Sequence, residues 1–253
     1  MAEPVHVERR AARGRRLGSL VLVHGGAHAA WCWSEYLPYL AERGWDCHAL
    51  DWYGHGGSPA VPGAVRRGIA DVATEIGIVA AELPEPPVLV GHSMGALAAQ
   101  CHAAAHPVAG LVLLAPVPPA GVPVTAPPLP VDETRPWGPP PFDVAYGLFF
   151  AGLPVDQARD LHARLVPESP RAVLEATGRL PVPVSAAAVR ANTPRTLVVA
   201  GTEDPLTPPE VTRRVAERYG AEYHLLPGLG HDGLLLGPQW RTAATLVAAH
   251  LAS

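Results

Sequence analysis

Gly91-His92-Ser93-Met94-Gly95 sets a hydroxyl between two glycines, after the apolar run Val88–Val90 and before the alanine-rich stretch Gly95–Ala105. A serine alcohol is a weak nucleophile: it needs a base to take its proton and an acid to orient that base. A strand, a sharp turn and a helix would supply the setting. Neighbours without side chains let the chain turn tightly, and the helix N-terminus offers backbone N–H groups and a positive dipole end. On this context Ser93 is the candidate nucleophile. Without the flanks the same five residues would read as a tight turn.

The partners are sought downstream in the order serine, acid, histidine. The apolar run Leu197–Ala200 ends in Gly201-Thr202-Glu203-Asp204, where Asp204 is the preferred acid and Glu203, one step earlier, its rival. Beyond another helix and strand pattern comes Gly228-Leu229-Gly230-His231-Asp232-Gly233, which puts His231 in a glycine-flanked loop past a strand end. His102 and His106 follow Ser93 on its own helix and are expected to point away from it. His6, His162, His224 and His250 lack that loop context. A developing oxyanion needs N–H donors. Met94 would give one, and the exit of the run Leu20–Val23, His24-Gly25-Gly26-Ala27, the second, with Gly26 preferred and Ala27 in reserve. His24 reads as a brace for that loop, and Asp51 and Ser58 of Asp51-Trp52-Tyr53-Gly54-His55-Gly56-Gly57-Ser58 as structural. The chemistry is acyl transfer through an acyl-enzyme. No zinc spacing, Gly-x-Gly-x-x-Gly helix opening or Walker A motif occurs, so neither metal nor cofactor is expected.

These residues need a frame that brings strand ends together. Short runs apolar on both faces, Leu20–Val23, Cys47–Leu50, Val88–Val90, Leu111–Leu114, Leu197–Ala200 and Tyr223–Leu226, read as buried parallel strands. Helical patterns fall between them, at about Trp33–Arg43, Val65–Glu82, Gly95–Ala105, Glu210–Tyr219 and Gln239–Ala252. The alternation predicts an α/β fold, a mostly parallel, doubly wound sheet with right-handed crossovers. One stretch, about 117–192, breaks the rhythm. It opens proline-rich and continues as short helical patterns at about Phe142–Ala151, Val155–Leu165 and Pro170–Thr177. A structureless loop this long is rare in a compact domain, so an inserted helical cap is expected, against the alternative of a partly disordered insert. Phe149 and Phe150, with Ala27 and Trp31, are candidate substrate-pocket residues; packing of cap on core is their competing role.

Composition bounds the rest. The 253 residues suit one α/β domain, 1–253, with the cap inside it. A net charge of −4 argues against a nucleic-acid partner and leaves a small molecule. All 19 basic residues are arginine, which excludes lysine-based catalysis. No run reaches the roughly 20 apolar residues that span a bilayer, so no membrane partner is expected. Arg9, Arg10, Arg13, Arg15 and Arg16 read as a solvated turn before the first core strand. The apolar run after them is too short for a signal peptide. Three scattered cysteines, Cys32, Cys47 and Cys101, fit a reducing, cytoplasmic setting.

The blocks His24-Gly25-Gly26, Asp51–Ser58, Gly91–Gly95, Gly201–Pro205 and Gly230-His231 together resemble the α/β-hydrolase superfamily over nearly the whole chain. Within it, His24-Gly25-Gly26-Ala27-His28-Ala29-Ala30-Trp31-Cys32-Trp33 is similar to the start of small plant methylesterases and hydroxynitrile lyases. The resemblance implies Ser93, Asp204 and His231 as triad, Gly26 and Met94 as oxyanion donors, and a helical lid over the pocket. The lyases carry threonine at Gly25 and lysine at Asp232, so the resemblance implies an esterase. Aspartate-nucleophile branches are disfavoured by Ser93. A small or medium apolar ester and a lactone are both open. So is an acyl-thioester on an acidic carrier, because Gly-His-Ser-Met-Gly-Ala is also similar to editing thioesterases. Arg159, Arg164, Arg171 and Arg179 would then rim the mouth. A cyclase, a lyase or a ligand receptor on the same triad also stays open.

Overall fold

The computed structural model describes residues 4–125 and 127–252, so residues 1–3, 126 and 253 of the expected 1–253 domain lie outside the described residues. Seven strands form one sheet: β1 Val7–Arg10, β2 Gly18–Val23, β3 Trp45–Leu50, β4 Val88–His92, β5 Gly110–Leu114, β6 Thr196–Gly201 and β7 Glu222–Leu226. Their order is β1-β3-β2-β4-β5-β6-β7, parallel throughout except for β1, which runs antiparallel to β3. The parallel sheet read from the apolar runs is therefore present, except that Tyr223–Leu226, read as a buried strand, belongs to β7 at the sheet edge, where only Leu226 is buried. The edge strand β1 was not read. Of its residues only Val7 is buried, and Glu8, Arg9 and Arg10 face solvent, so the segment carries too little apolar signal to stand out.

The strands sort their side chains with a period of two. Leu20, Leu22, Val88, Val90, Val112, Leu114, Leu197 and Val199 enter one core, with Trp33, Tyr36 and Leu40. Val21, Val23, Leu89, Leu111, Leu113 and Val198 enter the other, with Ile69, Ile76, Leu97 and Val215. Both faces are covered, which is why β2, β4 and β5 read as unbroken apolar runs.

The helices among the described residues are α1 Tyr36–Ala41, α2 Ile69–Ala80, α3 Ser93–Ala105, α4 Phe142–Leu148, α5 Val155–His162, α6 Pro170–Ala176, α7 Ala186–Asn192, α8 Pro209–Tyr219 and α9 Trp240–Ala252. The helix expected over Val65–Glu82 is split. Gly68 sits in extended backbone, and its N–H donates to Asp71 at 2.8 Å, which starts α2 at Ile69.

Between β5 and β6 the described residues form α4 to α7 and no named strand. The first three match the helical patterns read there. The fourth, α7, was not read separately. It packs on α3 and α8 rather than with α4 and α5, so the chain rejoins the body of the fold before β6.

The chain leaves β2 for β3 and then crosses back over β2 to β4. In an open α/β sheet, ligands bind outside the carboxyl ends of the strands at such a reversal. The loops after β2 and β4 meet there.

Candidate active site

Ser93 is the first residue of α3 and has φ +53°, a left-handed conformation that costs a non-glycine residue of order 1–3 kcal/mol. Its surroundings hold it there: the Ser93 carbonyl accepts from Val117 N–H at 3.2 Å. The glycines have the steric purpose expected of them. A Cβ at Gly95 would stand 2.2 Å from the His24 carbonyl oxygen, and one at Gly91 2.6 Å from Ala96 Cα. Helix α3 can lie this close to β2 and β4 only without those side chains.

Asp204 and His231 come together from the ends of β6 and β7. His231 Nδ1 lies 2.7 Å from Asp204 Oδ2, and both side chains are buried. Asp204 also accepts from Leu206 N–H, Thr207 N–H and the Thr207 hydroxyl. Burial would raise its pKa, but the His231 charge and these donors outweigh that, and it lies below the ordinary carboxylate value. For His231, burial lowers the pKa, yet the Asp204 carboxylate more than compensates and holds it above 6.5. Glu203 is exposed, with Thr202 Oγ1 donating to it at 3.1 Å.

Ser93 and His231 line one pocket with Gly25, Gly26, His28, His92, Met94, Val117, Leu129, Trp137, Phe149, Ala176, Thr177, Leu206 and Thr207. Its cavity volume is about 50 Å³, smaller than the roughly 150 Å³ apolar cavity known to admit benzene. Gly26 and Met94 are adjacent: a Cβ on Gly26 would meet Met94 Sδ at 2.5 Å. Of the four other residues expected at the pocket, Phe149 lines it, while Trp31, Phe150 and Ala27 are not among its lining residues. Phe150 is fully buried in the core, and Trp31 contacts the His28 ring and carries the Arg164 guanidinium over its own. Ala27 spends its N–H on Glu168 at 3.1 Å.

Several lining residues escaped the sequence reading, His28 and Trp137 among them. His28 presents Nδ1 to the Gly26 carbonyl at 2.8 Å and Nε2 to Asp232 Oδ2 at 2.9 Å. Trp137 sits in the proline-rich stretch and is held by reciprocal backbone hydrogen bonds with Glu168, both 2.8 Å. Neither had a periodic pattern to mark it. His92 occupies the variable position before the serine. Its Nε2–H donates to the His231 carbonyl at 3.2 Å, and burial, then the nearby His231 charge, push its pKa down to about 3. It is neutral at ordinary pH and fixes the backbone of His231.

His24, read as a brace, stacks on Trp52 at 4.5 Å and accepts from Trp52 N–H. Asp51 and Ser58 hold the loop after β3: Asp51 accepts from Ala30 N–H and Gly57 N–H, and the Ser58 hydroxyl donates to the Asp51 carbonyl. Of the cap arginines, Arg159 and Arg164 lie over Phe142 and Trp31, and Arg171 bonds Glu175. His92, His231 and Asp232 set one potential metal-ligand atom each within 4.8 Å of one another. Asp204 and His28 already engage His231 Nδ1 and Asp232 Oδ2.

Residues 20–246 match the alpha/beta hydrolase family, and the chain belongs to it. Curated relatives match over about a third of their length. Pimeloyl-[acyl-carrier protein] methyl ester esterase of Chromobacterium violaceum is 36% identical over 88 residues, 35% of this chain and 32% of that protein. Methylesterase 2 of Arabidopsis thaliana is 36% identical over 91 residues, 33% of this chain and 32% of that protein. Among solved structures, an esterase from Exiguobacterium antarcticum superposes with TM-score 0.73 at 21% identity, covering 98% of this chain and 96% of that one. A methylesterase from Arabidopsis does so with TM-score 0.70 at 18% identity, covering 92% and 98%. At these identities the superpositions speak for the fold. Among the described residues no helix is long and apolar enough to cross a membrane.

Proposed function

We propose that this protein is a serine hydrolase that cleaves a small carboxylic ester through an acyl-enzyme. The observation that carries the reading is the pairing of a left-handed Ser93 with an Asp204-held His231 in the wall of one pocket. His231 Nε2 takes the Ser93 proton as the hydroxyl attacks the ester carbonyl. Asp204 fixes Nδ1–H and stabilises the imidazolium that forms. The Gly26 and Met94 N–H groups receive the oxyanion, each contributing about 3 kcal/mol to barrier lowering. The imidazolium protonates the departing alcohol, and water then repeats the sequence on the acyl-enzyme.

The pocket wall is largely apolar, and its small volume favours a short acyl group with a small leaving alcohol. Methyl esters fit that description, and the relatives include proteins named methylesterases. A carrier-bound thioester has less support, since three of the four cap arginines that would form its rim are engaged within the chain. The free cysteines Cys32, Cys47 and Cys101 support a reducing, cytoplasmic setting.

Ser93→Ala is expected to lower ester turnover by about four to six orders of magnitude and to abolish labelling by a fluorophosphonate. The check is a panel of p-nitrophenyl esters graded by chain length, run beside methyl esters, lactones and acyl thioesters. Near-full activity in the variant would remove Ser93 from the reaction. A protein that labels at Ser93 but turns over nothing in the panel would favour the cyclase or receptor reading.

A further inference from the structure

Ala27 is the second non-glycine residue of the site in left-handed backbone, at φ +62°, and it directly follows Gly26. Such a conformation persists only when the surroundings over-determine it. Three contacts do so here. Ala27 N–H donates to Glu168 Oε2 at 3.1 Å, and its carbonyl accepts from Val166 N–H at 2.9 Å. One bond earlier, the Gly26 carbonyl accepts from His28 Nδ1–H at 2.8 Å. The Gly26–Ala27 peptide is therefore gripped at its oxygen by His28 and at its N–H by Glu168. Each grip is backed by a buried partner: His28 Nε2 lies 2.9 Å from Asp232, and His55 Nε2 lies 3.1 Å from the same Glu168 oxygen that holds Ala27.

Glu168 belongs to the inserted segment, between α5 and α6, whereas Gly26 belongs to the loop that leaves strand β2 of the sheet. We propose that Glu168 and His28 are positioning residues that clamp the Gly26–Ala27 peptide, aim the Gly26 N–H at the oxyanion, and so make the donor pair complete only while the inserted segment is docked. The proposal rests on the serine-hydrolase reading and adds a requirement to it. The geometry leaves little freedom. Releasing either end of the peptide lets Ala27 relax out of its left-handed conformation. The neighbouring N–H then turns away from the site, because consecutive peptide planes share the Gly26 Cα.

A second acidic residue of the same segment provides the comparison. Glu175 accepts from Ile69 N–H at 2.6 Å and from Arg171, tying α6 to the start of α2 without touching the Gly26 loop. Both glutamates dock the insert, and only Glu168 reaches the oxyanion loop.

The test compares Glu168→Gln, Glu168→Ala, His28→Gln and Glu175→Gln in the full chain, with methyl and p-nitrophenyl esters, fluorophosphonate labelling of Ser93 and amide exchange at Ala27. Glu168→Ala is expected to lower kcat by about 100-fold with KM within threefold, the pattern of a lost oxyanion donor. Ala27 exchange should quicken with it, and affinity for a boronic acid, a tetrahedral analogue, should fall in step. Glu168→Gln keeps an acceptor for Ala27 N–H and should recover at least tenfold of that loss, which guards against reading a misfolded Ala variant as a lost donor. Glu175→Gln should leave kcat within threefold. Folded Glu168 and His28 variants with wild-type kcat, or an equal loss in Glu175→Gln, overturn the clamp. A wild-type Ser93 that resists the phosphonate overturns the hydrolase reading instead, and the positioning role with it.

Discussion

His231–Asp204 and His55–Glu168 are two buried histidine–carboxylate pairs of similar chemistry. In each, burial alone would raise the carboxyl pKa, and the histidine charge plus backbone donors hold it low; in each, the histidine lies above its ordinary value because of that carboxylate. They differ in which ring nitrogen is spent. His231 gives Nδ1 to Asp204 and lines the pocket that Ser93 also lines. His55 gives Nε2 to Glu168 and does not line that pocket. The remaining reach of the carboxylate differs too. Asp204 spends it on its own turn, Leu206 and Thr207, and Glu168 on its neighbour Ser169 N–H and on the Ala27 N–H of another element. On the proposed mechanism the first pair serves as a base, its second ring nitrogen left for Ser93, and the second serves as a brace, its carboxylate holding backbone.

Replacing each histidine breaks the comparison most sharply. His231→Gln is expected to cost about four to six orders of magnitude in kcat, close to Ser93→Ala, because triad members act as a unit. His55→Gln should act through Glu168 and cost about tenfold to 100-fold, the range of a weakened oxyanion donor. Steady-state kinetics on one ester check both. Equal losses would erase the distinction between base and brace. Asp204→Asn comes next, at about 10⁴-fold, since the amide favours the wrong imidazole tautomer.

The pH profile gives a gentler test. On the proposed mechanism His231 must be neutral to accept the Ser93 proton, so kcat/KM should fall as pH drops through its folded pKa. That pKa is raised above 6.5, so the acid limb should lie above pH 6.5. The groups facing it are Asp204 and Asp232, which raise it, and His92, which at a pKa of about 3 is neutral across this range. Asp204→Asn removes the largest raising charge and leaves burial, which lowers, so the limb should move to lower pH. A limb that stays put would mean that a group other than His231 is titrating.

How far each pair could be read follows from its position. Ser93 and Asp204 follow the strands β4 and β6, whose buried residues read as unbroken apolar runs, so the loops after them can be located to a residue or two. His231 lies five residues past β7, an edge strand that buries only Leu226, and was marked instead by its flanking glycines and by the order serine, acid, histidine. Glu168 lies in Val166-Pro167-Glu168-Ser169-Pro170, between two short helices, where no period fixes a face and a lone glutamate reads as solvated. It is 3% exposed. Its partner Ala27 is across the fold, 141 residues earlier, and a contact of that span leaves no local trace. Asp232 was legible only as the residue standing where the lyases carry lysine; its pairing with His28 needed the two loops to be seen together. The edge strand β1 and helix α7 were missed for a related reason. Each buries one aliphatic side chain, Val7 and Val189, too little for a pattern.

Glu203→Gln should give the smallest effect and sharpens the acid assignment. Glu203 and Asp204 are neighbours at the end of β6, and sequence alone left them as rivals. Glu203 is exposed and takes the Thr202 hydroxyl at 3.1 Å, whereas Asp204 is buried against His231. A surface substitution of this kind changes stability by about 0.5 kcal/mol or less, and kcat is expected to stay near that of the unsubstituted protein. The acid limb should not move, because no strong coupling joins an exposed Glu203 to His231. Measured beside Asp204→Asn, the pair of profiles assigns the acid. A tenfold loss with a shifted limb in Glu203→Gln, and neither in Asp204→Asn, would reverse the two roles and require the turn after β6 to rearrange when substrate binds.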